Sequence, residues 1–148
     1  MTANVVGLTL FQKKGAEGIA VSELTLLQGI GIDGDYHQGT DRQVSLLTAE
    51  VRSWIDVQPL RGLCFARFKE NILTEGIALE ELADGSLLVV GDAVLRLQKA
   101  IKYCYDECAY VVNQTPCRLS GFAVYAAVKK GGTVRIGDTI VAAEHLLP

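Results

Sequence analysis

Two segments of this chain, "SLLVVGDAVLRL" (residues 86–97) and "GTVRIGDTIVAA" (residues 132–143), share one pattern: a short apolar run, a Gly-Asp pair, and a second short run. This pattern limits the fold more than any other feature. Runs this short are too brief for a helix with a buried face, and they suit strands bounded by turns. Glycine supplies the permissive backbone of a tight corner, and the aspartate beside it can hydrogen-bond its own turn. Each segment is expected to form bent or paired strands. Similar runs recur in "NVVGLTLF", "SELTLLQGIGIDGD" and "RQVSLLT". "RFKENILTEG" reads as a strand leading into a turn, with Arg67, Lys69 and Asn71 on one face. "FAVYAAVKKGG" ends in a Gly-Gly pair before the second Gly-Asp segment, so residues 122–143 read as a hairpin.

Helices are expected to be few. "AEVRSWID" follows Thr48, a good N-cap, and Glu50 suits the positive end of its dipole. "IALEELADG" reads as a helical turn ended by Gly85. The expected fold is mainly β: a closed or partly open barrel of short strands with a few peripheral helices, in a single domain over residues 1–148.

The net charge of −3 gives no basic field, so nucleic acid is not an expected partner. No uncharged apolar run reaches the roughly 18 residues of a membrane helix. The opening "MTANVVGLTLFQKKGAEG" lacks the basic start and long apolar stretch of a signal peptide. The expectation is a cytoplasmic protein without a membrane partner. Reducing conditions there disfavour structural disulfides.

Three of the four cysteines lie in "KYCYDECAYVVNQTPC", residues 102–117. Cys104 and Cys108 have the spacing of half a zinc site; Cys117 can serve as a third ligand, with Cys64, His37 or His145 as the fourth. A reactive thiol is the second reading. Lys102 and Arg118 would then favour a thiolate, while Asp106 and Glu107 would oppose it. Inert buried thiols are the third, and Cys64, in the apolar run "GLCFARF", is expected to be buried. In "GIGIDGDYHQGTDRQVSLLTAE", Gly29, Gly31 and Gly34 surround Asp33 and Asp35, followed by His37 and Arg42. Such a loop can aim N–H groups, His and Arg at an anion, and it reads equally as a solvated surface loop. In "RFKENI", Arg67 and Lys69 can serve a phosphate with Glu70 and Asn71 orienting them, or the segment is an exposed edge strand. No Walker loop, G-x-S-x-G elbow or H-E-x-x-H motif occurs.

In this order, "GIDGDYHQGTDRQVSLLTAE", "RFKENI", "LADGSLLVVGDAVLRL", "KYCYDECAYVVNQTPC" and "GFAVYAAVKKGGTVRIGDTI" resemble the MOSC domain family, named for the C-terminal domain of molybdenum-cofactor sulfurases. The resemblance runs from about Val5 to Ala142 and is to the small standalone bacterial type. It implies a β-barrel that binds molybdenum cofactor (molybdopterin), carries sulfur on a cysteine, or both; some members reduce N-hydroxylated compounds. The family's functional cysteine falls in "KYCYDEC". Cys108 is the first choice and Cys104 the second, and Cys108 is also the molybdenum ligand if the cofactor binds. Gly34, Asp35, His37 and Arg42 match the family's loop, and Arg67, Glu70 and Asn71 its strand-like motif. With Arg118 these are the expected cofactor-binding residues, and His37, Arg42 and Arg67 are expected to line one pocket with the cysteines. The implied partners are molybdenum-cofactor biosynthesis proteins or molybdoenzymes, with a desulfurase as sulfur donor. Neither a pyridoxal-phosphate domain with which to mobilise sulfur nor a reductase module is expected in these 148 residues, so sulfur and electrons are expected to come from partners. The alternative is a zinc-stabilised or purely structural small-ligand binding module on the same fold.

Overall fold

A computed structural model describes residues 3–65, 68–99, 104, 106–119 and 122–143. Seven strands close into a barrel. They are β1 (Ala3–Leu10), β5 (Val44–Thr48), β6 (Ile72–Glu75), β7 (Leu87–Val90), β8 (Ala93–Gln98), β9 (Val124–Lys130) and β11 (Thr139–Ala143). Their order is β11-β7-β8-β9-β5-β6-β1, and β1 pairs back with β11 through Ala3↔Ile140 and Asn4↔Thr139. A two-residue strand, β2 (Ile19–Ala20), pairs with β1. A small second sheet is formed by β3 (Glu23–Leu27), β4 (Gly31–Ile32) and β10 (Gly132–Arg135).

The barrel interior takes alternate residues of each strand, including Leu46, Ile72, Leu88, Leu95, Val124 and Ala126. Fully burying such a side chain contributes about 1.5–3 kcal/mol each. The opposite faces of three strands are covered as well. Leu47, Leu73 and Tyr125 point outward into a second cluster with Val51, Ile55, Phe65, Phe68 and Tyr110. This is why "VSLLT" reads as a continuous apolar run: β5 is buried on both faces. The strand pair β5–β6 is parallel, and its crossover carries α1 (Ala49–Val57), the helix that lays Val51 and Ile55 on the outer cluster. Thr48 caps it, accepting from Val51 N–H, with Glu50 in the first turn. Among the described residues no helix is long and apolar enough to cross a membrane.

The two Gly-Asp corners differ. Gly91 and Asp92 turn β7 into β8 as a tight hairpin with Val90 opposite Ala93, and Gly91 adopts φ +56°. Gly137 and Asp138 instead carry the chain from the small sheet (β10) into the barrel (β11), so these two strands are not paired with each other. Residues 122–143 do not form the expected hairpin either. β9 pairs with β5 and β8, whereas β10 pairs with β3. The Gly-Gly pair has another cause: a Cβ on Gly131 would lie 2.7 Å from the Leu26 carbonyl oxygen, and one on Gly132 would lie 2.6 Å from that of Asp92. Two other segments of backbone pass there, and only glycine fits. In "RFKENI" the strand begins only at Ile72, so Lys69 and Asn71 do not alternate along a strand as expected, and Arg67 lies outside the described residues. The "IALEELADG" turn is a single 3-10 turn, Leu79–Glu81, with Gly85 at φ +84° after it.

Candidate functional site

Cys64, Cys104, Cys108 and Cys117 all line one cavity of about 470 Å³. Its other walls are largely apolar, including Phe65, Tyr110, Val111, Pro116 and Leu119. Cys104 is exposed, Cys64 and Cys117 are half-buried, and Cys108 is buried. None of the four forms a disulfide with another. Cys64 was expected to be buried; instead it opens onto this cavity.

The site is built on the outer cluster. Trp54 from α1, Phe65 and Tyr110 pack ring on ring, with centroids 5.4–6.0 Å apart. Tyr110 belongs to a single short turn, α2 (Ala109–Val112), and its hydroxyl donates to the Leu60 carbonyl at 2.7 Å. Burial pushes the phenol pKa up, and nearby Cys117 and Cys108 add to this, which keeps the donated proton in place. Arg61 lies over the Phe65 ring at 4.8 Å and hydrogen-bonds the Ile55 carbonyl. These contacts fix the loop at residues 60–65 against α2. Gly62 permits the close approach, since a Cβ there would be 3.0 Å from Phe65 and 3.4 Å from Tyr110.

The chemical result falls on Cys108. Its pKa is held below the ordinary thiol value, chiefly by the Leu63 N–H and also by those of Tyr110 and Val111, which together outweigh the upward push of burial. The side chain closes no regular cap bond on its own turn, and the Leu63 backbone is the largest of the three lowering influences. Lys102, expected to assist, lies outside the described residues. Arg118 is engaged elsewhere: it donates to Glu50 at 3.0 Å, covers the Phe122 ring, and lines a separate pocket beside α1. The backbone therefore takes the part that was expected of Arg118.

The glycine-aspartate loop lies apart from this cavity. Its N–H groups are already used: Gly29 donates to Val128, Asp33 to Thr25, Asp35 to Ile32 and Tyr36 to Phe11, all backbone carbonyls, and Gly34 donates to the Gln38 side chain. Asp35 is buried, its Oδ2 3.4 Å from His37 Nδ1 and 3.5 Å from Asn71 Nδ2, and its Oδ1 has no partner. His37 stacks on Tyr36 at 3.9 Å. Arg42 is exposed over the Tyr125 ring at 5.0 Å. Tyr125 in turn packs on Phe68, a member of the cluster that holds Cys108. The loop thus meets the outer cluster from the far side, and neither His37 nor Arg42 lines the cysteine cavity.

The third motif is structural in its contacts. Asn71, buried, accepts from Ser45 N–H at 3.0 Å and donates to the Thr9 carbonyl at 3.1 Å, tying the end of β1 to β5. Glu70 accepts a forked pair from Arg52, with 2.9 Å to Nε and 2.7 Å to an Nη. Lys69 donates to the Ala16 carbonyl. Arg67 lies outside the described residues. Leu63, Gly62 and Tyr110 were not singled out from the sequence. Backbone donors leave no side-chain signature, and only the count of four thiols hinted that Cys64 joins the others.

A family model described as "MOSC domain" matches residues 33–141. Among solved structures, the YuaD protein from Bacillus subtilis superposes with a TM-score of 0.74 at 21% identity, covering 99% of this chain and 98% of that one. YiiM from Geobacillus stearothermophilus gives 0.64 at 17% identity, covering 96% of this chain and 75% of that one. YiiM from Escherichia coli gives 0.62 at 18%, covering 97% and 71%. No curated protein matches the chain in sequence.

Proposed function

The chain belongs to the MOSC domain family, and from that premise we propose that it carries sulfur as a persulfide on Cys108. The observation that carries this reading is that all four cysteines line one largely apolar cavity in which Cys108 is the buried thiol, and the backbone around it, Leu63 first, lowers its pKa. A thiolate is the attacking form of cysteine. It attacks the outer sulfur of a donor persulfide, R–S–SH. The donor S–S bond breaks, R–S⁻ leaves, and Cys108–S–SH forms with no net redox change. The same N–H groups can then hold the persulfide anion, and the apolar walls keep bulk water from it.

The family is linked to molybdenum-cofactor chemistry, so proteins of cofactor maturation, or molybdoenzymes, are the partner class that would receive this sulfur, and a cysteine desulfurase the class that would supply it. The molybdenum cofactor itself is a weaker match to the cavity. Thiols offer the soft donors molybdenum takes, but no Arg or Lys is among the described lining residues to meet the phosphate. The zinc reading gains no support: among the described residues no group of three or more His, Cys, Asp or Glu could hold a metal ion.

The test loads wild-type protein and Cys108→Ser with inorganic polysulfide, then passes both through buffer containing a small thiol. That step strips exposed persulfides and spares a sheltered one. Wild type should keep about one sulfane sulfur per chain, and the variant should lose at least about tenfold. Equal retention by the two proteins would overturn the assignment.

A further inference from the structure

Cys104 and Cys108 line the same cavity but differ in access: Cys104 is exposed and Cys108 buried. A carrier protein's donor is itself a protein, and its persulfide arrives on a side chain of limited reach. A buried thiol is a poor first target for it, whereas small polysulfide can enter a 470 Å³ cavity. We propose that the two cysteines form a relay, in which Cys104 at the cavity mouth takes sulfur from a protein persulfide and passes it inward to Cys108. This rests on the sulfur-carrier reading above and divides its labour between two residues.

Each step balances. The Cys104 thiolate attacks the donor's outer sulfur and becomes Cys104–S–SH as the donor thiolate leaves. The Cys108 thiolate then attacks the outer sulfur of Cys104–S–SH, the S–S bond to Cys104 breaks, and Cys104 departs as a thiolate. No oxidant or reductant is consumed. The inward direction follows from the environments. Cys108 is buried where Cys104 is exposed, so sulfur that has moved inward is shielded from solvent thiols that would strip it at the mouth; the lowered pKa of Cys108 keeps a thiolate available to attack. Asp106 and Glu107, both exposed, lie two and three positions after Cys104.

The experiment uses a cysteine desulfurase charged with L-cysteine as the protein donor and inorganic polysulfide as the small donor, in buffer without added thiol. Added sulfur is located by peptide mass spectrometry. In Cys108→Ser, sulfur from the desulfurase should accumulate on Cys104. In Cys104→Ser, an exposed change that leaves the core untouched, loading of Cys108 from the desulfurase should fall at least about tenfold while polysulfide loads it at the wild-type rate. Loading of Cys108 from the desulfurase at the wild-type rate in Cys104→Ser would overturn the relay alone. Failure of polysulfide to load Cys108 in both wild type and Cys104→Ser would overturn the relay together with the reading beneath it.

Discussion

At the scale of residues, Cys108 and Asn71 make opposite predictions. The folded state lowers the Cys108 pKa, so folding favours the thiolate. That stabilisation is fully present above the unfolded thiol pKa of about 8.5 and is lost as pH falls through the folded value. Residue-resolved alkylation of the native protein should therefore show Cys108 reacting with a midpoint below that of the same residue in the denatured chain. Coincident midpoints for Cys108 in the native and denatured chains would remove the case for a held thiolate. Asn71 should leave that profile alone and cost stability instead. Its side chain ties Ser45 to Thr9 inside the protein, so Asn71→Ala should lower unfolding free energy by about 2–3 kcal/mol in denaturant titration. The sequence flagged both residues, Asn71 as an orienting group for a phosphate site. Its buried contacts are all to the protein, and no residue-type argument could show that, since they are with segments 26 and 62 residues away.

At the scale of elements, the site depends on how closely the loop at residues 60–65 sits against α2. Gly62→Ala would press a methyl group on Phe65 and Tyr110. It should cost about 1–3 kcal/mol as overpacking. Because the loop carries the Leu63 N–H away from the sulfur, it should also move the Cys108 alkylation midpoint upward, toward the ordinary value. A loss of stability with an unmoved midpoint would mean that Leu63 is not the governing donor. Gln114, in the left-handed region at φ +53° just after α2, should accept glycine with a gain of about 0.5–1 kcal/mol, read by thermal unfolding. The elements themselves were partly legible. The Thr48 cap, the helix behind it and the first Gly-Asp hairpin follow from local chemistry. The misread hairpin at residues 122–143 does not, because Gly131 and Gly132 answer to the backbones of Leu26 and Asp92, neighbours that only the closed barrel brings in.

At the scale of the whole molecule, the barrel interior and the outer cluster are separate packing units that share the walls β5, β6 and β9. The proposed sulfur site belongs to the outer one. Cys108→Ser should thus cost about 1 kcal/mol or less, whereas Leu95→Ala, in the barrel interior, should cost about 2–5 kcal/mol. This arrangement would let the barrel support the proposed carrier thiol on its flank without placing reactive chemistry in its core. The barrel was foreseeable from short strands and glycine corners. The convergence of Cys64 on the other three thiols was not, because it requires the crossover from β5 to β6 to fold back over α2. The account stands most directly on where sulfur comes to rest. Wild-type protein should be incubated with a cysteine desulfurase and L-cysteine, quenched with an alkylating agent, and mapped by peptide mass spectrometry. The account predicts one added sulfur atom per chain, on Cys108. Desulfurase turnover that leaves Cys108 without added sulfur, or that deposits it on Cys64 or Cys117 instead, would contradict it.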